Sequence, residues 1–137
     1  MSRLLIDTNI LVYSKDISSA FHLASTKLFK GPDQLFTTSK NLAEYYAVVT
    51  KGEAPFLSAT EALDDLTEFS SYCEVLYPTP LSFRKLQELI QLYSPKGLRI
   101  HDIEIASIAM VNNIAKVATF NRQDFQKIEG MEVVVPT

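Results

Sequence analysis

The chain has 137 residues, 47 % of them hydrophobic and 21 % charged, with a formal net charge of −3. This mixture describes one globular domain over residues 1–137, large enough to bury about two-thirds of its unfolded surface and to fold without disulfide or metal staples. The acidic balance excludes a strong sequence-independent grip on nucleic acid, which rests on clustered Lys and Arg. The single cysteine, Cys73, excludes an intrachain disulfide and a thiolate zinc site.

The segment Met1 to Asp7 meets a charge too early for a secretory signal. No apolar run approaches the roughly 18 residues that span a bilayer. A cytoplasmic protein with no membrane contact is therefore expected. Arg3 to Ile6 is an apolar run that reads as a buried strand, followed by the turn-like Asp7-Thr8-Asn9. Ser18 or Ser19 is placed to cap a helix running to about Lys30, with Gly31-Pro32 as its stop. Leu35 to Thr38 reads as a second strand, and Ser39 precedes a second helix that reaches about Lys51 before Gly52. Ser58, with Glu61 three residues later, forms a capping-box pattern for a helix carrying Leu63, Leu66 and Phe69 at helical spacing. Glu74 to Tyr77 reads as a third strand closed by Pro78. Thr79-Pro80 opens a helix through Leu86, Leu89 and Ile90 to about Tyr93, with proline at the position where its missing N–H costs nothing. After the loop Ser94 to Gly97, Asp102 to Asn113 is a largely apolar, central helix. Lys116 to Phe120 and Glu132 to Val135 complete five strands. Strands alternating with helices imply an α/β fold with a mainly parallel sheet covered on both faces.

Several polar positions stand where apolar segments make a carboxylate awkward. Asp7 follows Leu4-Leu5-Ile6, Glu44 lies within the apolar stretch from Leu42 to Val49, and Asp102 opens the apolar helix. Asn121 and Asp124 follow Val117 to Phe120. An unpaired buried carboxylate is expensive, so such groups are paired, hydrogen-bonded or bound to metal. In open α/β sheets, ligands bind outside the carboxyl ends of the strands. Asp7 and Asn121 fall just past strand ends, so one rim of the sheet is the expected meeting place. An oxygen-rich set with no Cys/His ligand pair suits Mg²⁺ or Mn²⁺ better than zinc. Such ions activate water and stabilise the leaving oxygen of a phosphodiester without a histidine base. His22 and His101 are therefore not required. The four glycines, at 31, 52, 97 and 130, form no phosphate-binding loop.

Asp7-Thr8-Asn9 after a strand, Glu44 in the second predicted helix, His101-Asp102 opening an Ala-rich helix, and Thr119 to Phe125 near the end together resemble the PIN domain family. The VapC-type toxins of type II toxin–antitoxin pairs are the nearest subgroup. The resemblance covers essentially the whole chain. It implies a three-layer α/β/α sandwich and Mg²⁺- or Mn²⁺-dependent cleavage of RNA. It further implies a homodimer and a small antitoxin covering the cleft. By the same resemblance Asp7, Glu44 and Asp102 are metal ligands, and Asp124, directly or through water, supplies the charge missing at Asn121, where the family often carries aspartate. Thr8 and Thr119 would orient the carboxylates. Alternatives are a PIN nuclease of RNA processing without an antitoxin, and a catalytically silent PIN domain that binds RNA or protein. Read singly, these positions also have ordinary structural uses: an Asx turn at Asp7 and Asn9, an ion pair at Glu44, helix or turn caps at Asp102 and Asp124, and a turn at Asn121.

Overall fold

The computed structural model describes residues 2–137; Met1, the first residue of the segment read as no secretory signal, lies outside them. The elements follow in the order β1 (Arg3–Ile6), α1 (Thr8–Lys15), α2 (His22–Lys30), β2 (Gln34–Thr38), α3 (Ser39–Thr50), α4 (Ala59–Tyr72), β3 (Glu74–Leu76), α5 (Pro80–Tyr93), α6 (Arg99–Val111), β4 (Lys116–Ala118) and β5 (Glu132–Val134). A 3-10 turn, Arg122–Asp124, lies between β4 and β5. All strand pairings are parallel, in the order β3-β2-β1-β4-β5.

The period of two along β1 divides the core. Leu4 and Ile6 face a cluster formed with α1, α3 and α4, including Ile10, Leu11, Tyr45, Val49 and Phe69. Leu5 faces the other side, against Leu89 of α5 and Ile103, Ala106 and Ile108 of α6. The result is a three-layer α/β/α sandwich. From β1 the chain winds outward through β2 and β3, then returns to β1's other flank with β4 and β5. The strand order therefore switches between β1 and β4, and a crevice opens at their carboxyl ends.

The five strands lie where the sequence places them, some shorter by one or two residues. α4 carries the expected capping box, with Ser58 Oγ accepting from Glu61 N and Glu61 Oε1 accepting from Ser58 N. α5 carries proline in its first turn behind the Thr79 cap.

Several expectations change. The turn-like Asp7-Thr8-Asn9 starts a two-turn helix, α1, capped by Asp7 itself; the apolar residues Ile10 and Leu11 give that segment a core to bury against. Glu44 consequently lies in the third helix. α2 begins at His22 with no side-chain cap. Ser18 instead donates to Asp16, and Ser19 Oγ accepts from Phe21 N. α6 begins three residues before Asp102, after Leu98, again without a side-chain cap. Leu63 is exposed, because α4 buries the stripe of Ala62, Leu66 and Phe69.

A candidate acidic cleft at the strand switch point

The crevice at the ends of β1 and β4 is a cavity of about 230 Å³ lined by Asp7, Thr8, Asn9, Val12, Tyr13, Glu44, Val48, Asp102, Ile105, Asn121 and Asp124. All five candidate site residues thus border one space, although they come from β1's end, α3, α6 and the 3-10 turn.

Asp7 is buried, at 7 % exposure. Its Oδ1 accepts from Thr8 N at 2.9 Å and from Asn41 Nδ2 at 3.2 Å. Its Oδ2 accepts from Thr119 Oγ1 at 2.8 Å, with Asn9 Nδ2 at 3.4 Å. Burial nevertheless dominates. It pushes the Asp7 carboxyl from an ordinary 3.8 up to about 6, opposed by the Thr119 and Thr8 hydrogen bonds and reinforced by the charges of Glu44 and Asp124. Thr8 and Thr119, expected to orient carboxylates, are both buried. Thr119 bonds Asp7 through its side chain, while Thr8 does so through its backbone N–H.

The remaining acids are more open than their apolar neighbours suggest. Glu44 is exposed, because α3 buries the i, i+4, i+8 stripe Asn41, Tyr45 and Val49 and leaves Glu44 on the flank facing the cleft. Asp102 is half-buried in the first turn of α6. Desolvation is the main cause lifting its carboxyl from 3.8 to about 7, with Asp124, Asp7 and Glu44 adding repulsion and Arg99 opposing. Asp124 makes no turn cap; its carboxylate lies 3.7 Å from Arg99 NH1, which is also 3.6 Å from Asp102 Oδ2. Asn121 is exposed at the mouth, with its backbone N–H donating to Thr119 Oγ1 at 3.0 Å.

Two asparagines organise this network beyond the sequence reading. Asn41, fully buried, donates from Nδ2 to both Asp7 Oδ1 and Thr8 Oγ1, while its Oδ1 accepts from Thr38 Oγ1 at 2.5 Å. Its legible signal was the pattern Thr38-x-x-Asn41 at the start of α3, where a capping residue meets a polar third position. Thr38 does cap α3, accepting from Asn41 N. Asn9, read as an Asx-turn residue, instead spans the switch point: Nδ2 donates to Thr119 Oγ1 at 2.9 Å, and Oδ1 accepts from Phe120 N at 3.2 Å. Tyr45 of α3 is a core residue whose hydroxyl donates to Asp65 Oδ2 at 2.6 Å. His101 and Arg122 are exposed and neither lines the cleft.

Among the described residues, no three His, Cys, Asp or Glu side chains already converge tightly enough to enclose a metal ion. The donor set still suits a hard cation. The cleft gathers all-oxygen carboxylate donors, burial reinforced by mutual repulsion raises two of their pKa values, and among the described residues Arg99 is the one cation paired with them. Mg²⁺ keeps several waters and takes only one or two carboxylates, so an open arrangement is sufficient.

A parallel α/β/α sandwich with an acidic crevice at its switch point defines the class of this protein. The chain belongs to the PIN domain family, whose model matches residues 4–131. No curated protein sequence matches it. Among solved structures, it is similar to VapBC2 from Rickettsia felis bound to a promoter DNA fragment, at 21 % identity over 96 % of this chain and 97 % of that one, with a TM-score of 0.72. It is similar to VapBC-1 from nontypeable Haemophilus influenzae at 18 % identity over 96 % of each chain, with a TM-score of 0.73. It is also similar to Mycobacterium tuberculosis VapC20, a sarcin–ricin loop-cleaving toxin, at 14 % identity over 88 % of this chain and 92 % of that one, with a TM-score of 0.67. At these identities the likeness establishes the fold.

Proposed function

We propose that this PIN domain is a metal-dependent ribonuclease and the toxin of a type II toxin–antitoxin pair. The observation that carries the reading is the meeting of Asp7, Glu44, Asp102 and Asp124 around one cleft at the switch point. Asp7 and Asp102 would hold Mg²⁺ or Mn²⁺, with Glu44 and Asp124 at its periphery. When bound, such an ion supplies an activated water and neutralises charge on the phosphodiester.

The chain's own residues do the positioning. Thr119, Asn41 and Thr8 N–H fix both oxygens of Asp7, and the one lone pair left, on Oδ2, meets only the long 3.4 Å contact of Asn9 Nδ2 and would be offered to an ion. Asn9 ties the first turn of α1 to the segment after β4, so Asp7 and Asn121 keep their relation. Glu44 approaches from α3 on the exposed side, where it is placed to orient a water. Val12, Val48 and Ile105 give the cleft apolar walls that lower the local dielectric and strengthen its electrostatics.

The antitoxin partner is supported by the VapBC neighbours, which are toxin–antitoxin proteins. A homodimer is supported by apolar side chains left exposed on α5, namely Leu81, Phe83 and Leu92. On the helices before β3, Tyr46, Leu63 and Tyr72 are also exposed. Among the described residues, no helix is long and apolar enough to cross a membrane.

The deciding experiment is cleavage of a mixed-sequence single-stranded RNA with Mg²⁺, with Mn²⁺ and with EDTA, beside the Asp7→Asn variant. Metal-dependent cutting that the variant lacks is the expected result. No cutting by folded, inhibitor-free protein would refute the nuclease assignment and favour a domain that binds RNA or protein.

A further inference from the structure

Arg99 stands in the first turn of α6, one turn before Asp102. Its NH1 lies 3.6 Å from Asp102 Oδ2 and 3.7 Å from Asp124 Oδ1, and contacts the carbonyl oxygens of Asp124 at 3.3 Å and Gln123 at 3.5 Å. It bridges α6 and the 3-10 turn. The two carboxylates lie within ion-pair range but beyond hydrogen-bond length, and the same nitrogen serves every contact. This is not the bidentate fork by which arginine locks a carboxylate. A guanidinium held in this way compensates charge without fixing geometry. The Arg99 side chain is 41 % exposed, so it has room to swing out.

We propose that Arg99 is a built-in counter-cation of the cleft: its single charge offsets part of the negative charge of Asp102 and Asp124 in the metal-free protein and competes with a divalent ion for them. The inference rests on the metal-site reading above and adds a regulatory element to it. Arginine cannot lose its proton in a protein, so its charge persists at every working pH, and an ion must enter against that charge. Arg99 therefore sets metal affinity below what the four carboxylates alone would give. It also keeps two like-charged segments together when the ion is absent. Arg99 is a positioning residue under this reading, acting through Asp102 and Asp124.

The test is Mn²⁺ binding by calorimetry to metal-stripped protein, with folding followed by circular dichroism. Arg99→Gln removes the charge but keeps an amide donor for the Gln123 and Asp124 carbonyls. It is expected to bind Mn²⁺ about tenfold more tightly, the scale of one unit charge acting near a partly solvated ion. Arg99→Lys keeps the charge and should stay within about twofold of wild type, because the effect is coulombic. Arg99→Met replaces the Gln variant should that one fail to fold, with the same expectation. An Arg99→Gln protein that binds Mn²⁺ no more tightly than wild type overturns the proposal while leaving the metal site standing. An Arg99→Lys protein that tightens as much as Arg99→Gln overturns it too, since the charge would then not be the cause. Absence of Mn²⁺ binding by both wild type and Arg99→Gln overturns the proposal and the metal-site reading beneath it.

Discussion

Replacing Asp7 by Asn should stabilise the metal-free protein at neutral pH while abolishing cleavage. The rise of the Asp7 carboxyl from 3.8 to about 6 corresponds to about 3 kcal/mol of destabilisation at pH 7.5, at about 1.4 kcal/mol per pKa unit. The sign follows from the direction of the shift. The folded protein holds its proton more tightly than the unfolded chain, so stability is greatest below the unfolded value and is lost as pH climbs from 3.8 through about 6. Asparagine removes that cost but turns one accepting oxygen into a donor. At Oδ2 the new amide would face Thr119 Oγ1, which already accepts from Asn9 and Asn121, and the lost bond costs about 1 kcal/mol. The net expectation is a gain of about 2 kcal/mol at pH 7.5, or about 7 °C in Tm for a domain of this size. At pH 4 the ionisation cost shrinks to about 0.5 kcal/mol, so the lost hydrogen bond outweighs it and the variant becomes slightly the less stable protein. Urea denaturation in EDTA at both pH values measures this. A variant less stable than wild type at pH 7.5, or a difference unchanged between pH 4 and 7.5, would refute the reasoning. Mg²⁺ should raise the midpoint of wild type at pH 7.5 and leave that of the variant nearly unchanged.

Asp102→Asn should lose metal-dependent RNA cleavage by at least about a hundredfold, since it removes a charge aimed at the reacting centre; retained cleavage by folded variant would remove Asp102 from the site. Asn41→Ala deletes bonds to Asp7, Thr8 and Thr38 in a fully buried position. It should cost about 2–3 kcal/mol in urea denaturation, and a loss below about 0.5 kcal/mol would show that water replaces the amide freely. Tyr45→Phe removes the hydroxyl that donates to Asp65 and should cost about 1–2 kcal/mol with cleavage unchanged. Altered cleavage by that variant would connect the α3–α4 contact to the cleft.

The sequence by itself determined the α/β class, the five strands, the capped starts of α4 and α5, and the identity of the cleft's acids. These are local matters. Apolar runs, proline at a helix start and a Ser-x-x-Glu box act through neighbours a few residues away. Resemblance of the ordered motifs to the PIN family was legible for the same reason, because it depends on residue identity and order. Other features depended on partners distant in the chain. α1 follows a turn signal, and only its burial against the sheet makes two turns of helix worthwhile. Glu44 sits in an apolar stretch yet is exposed, because the sheet chose Asn41, Tyr45 and Val49 as the buried stripe. Asp124 looked like a cap, but the winding of β4 onto the free flank of β1 brings its carboxylate to the same Arg99 NH1 that Asp102 approaches from within α6. Asn9 and Asn41 sat in local turn and capping patterns and became organisers of the site only through bonds to residues 110 and 34 positions away. A carboxylate's cost depends on which charges and dipoles face it across space, and that arrangement is fixed by tertiary packing.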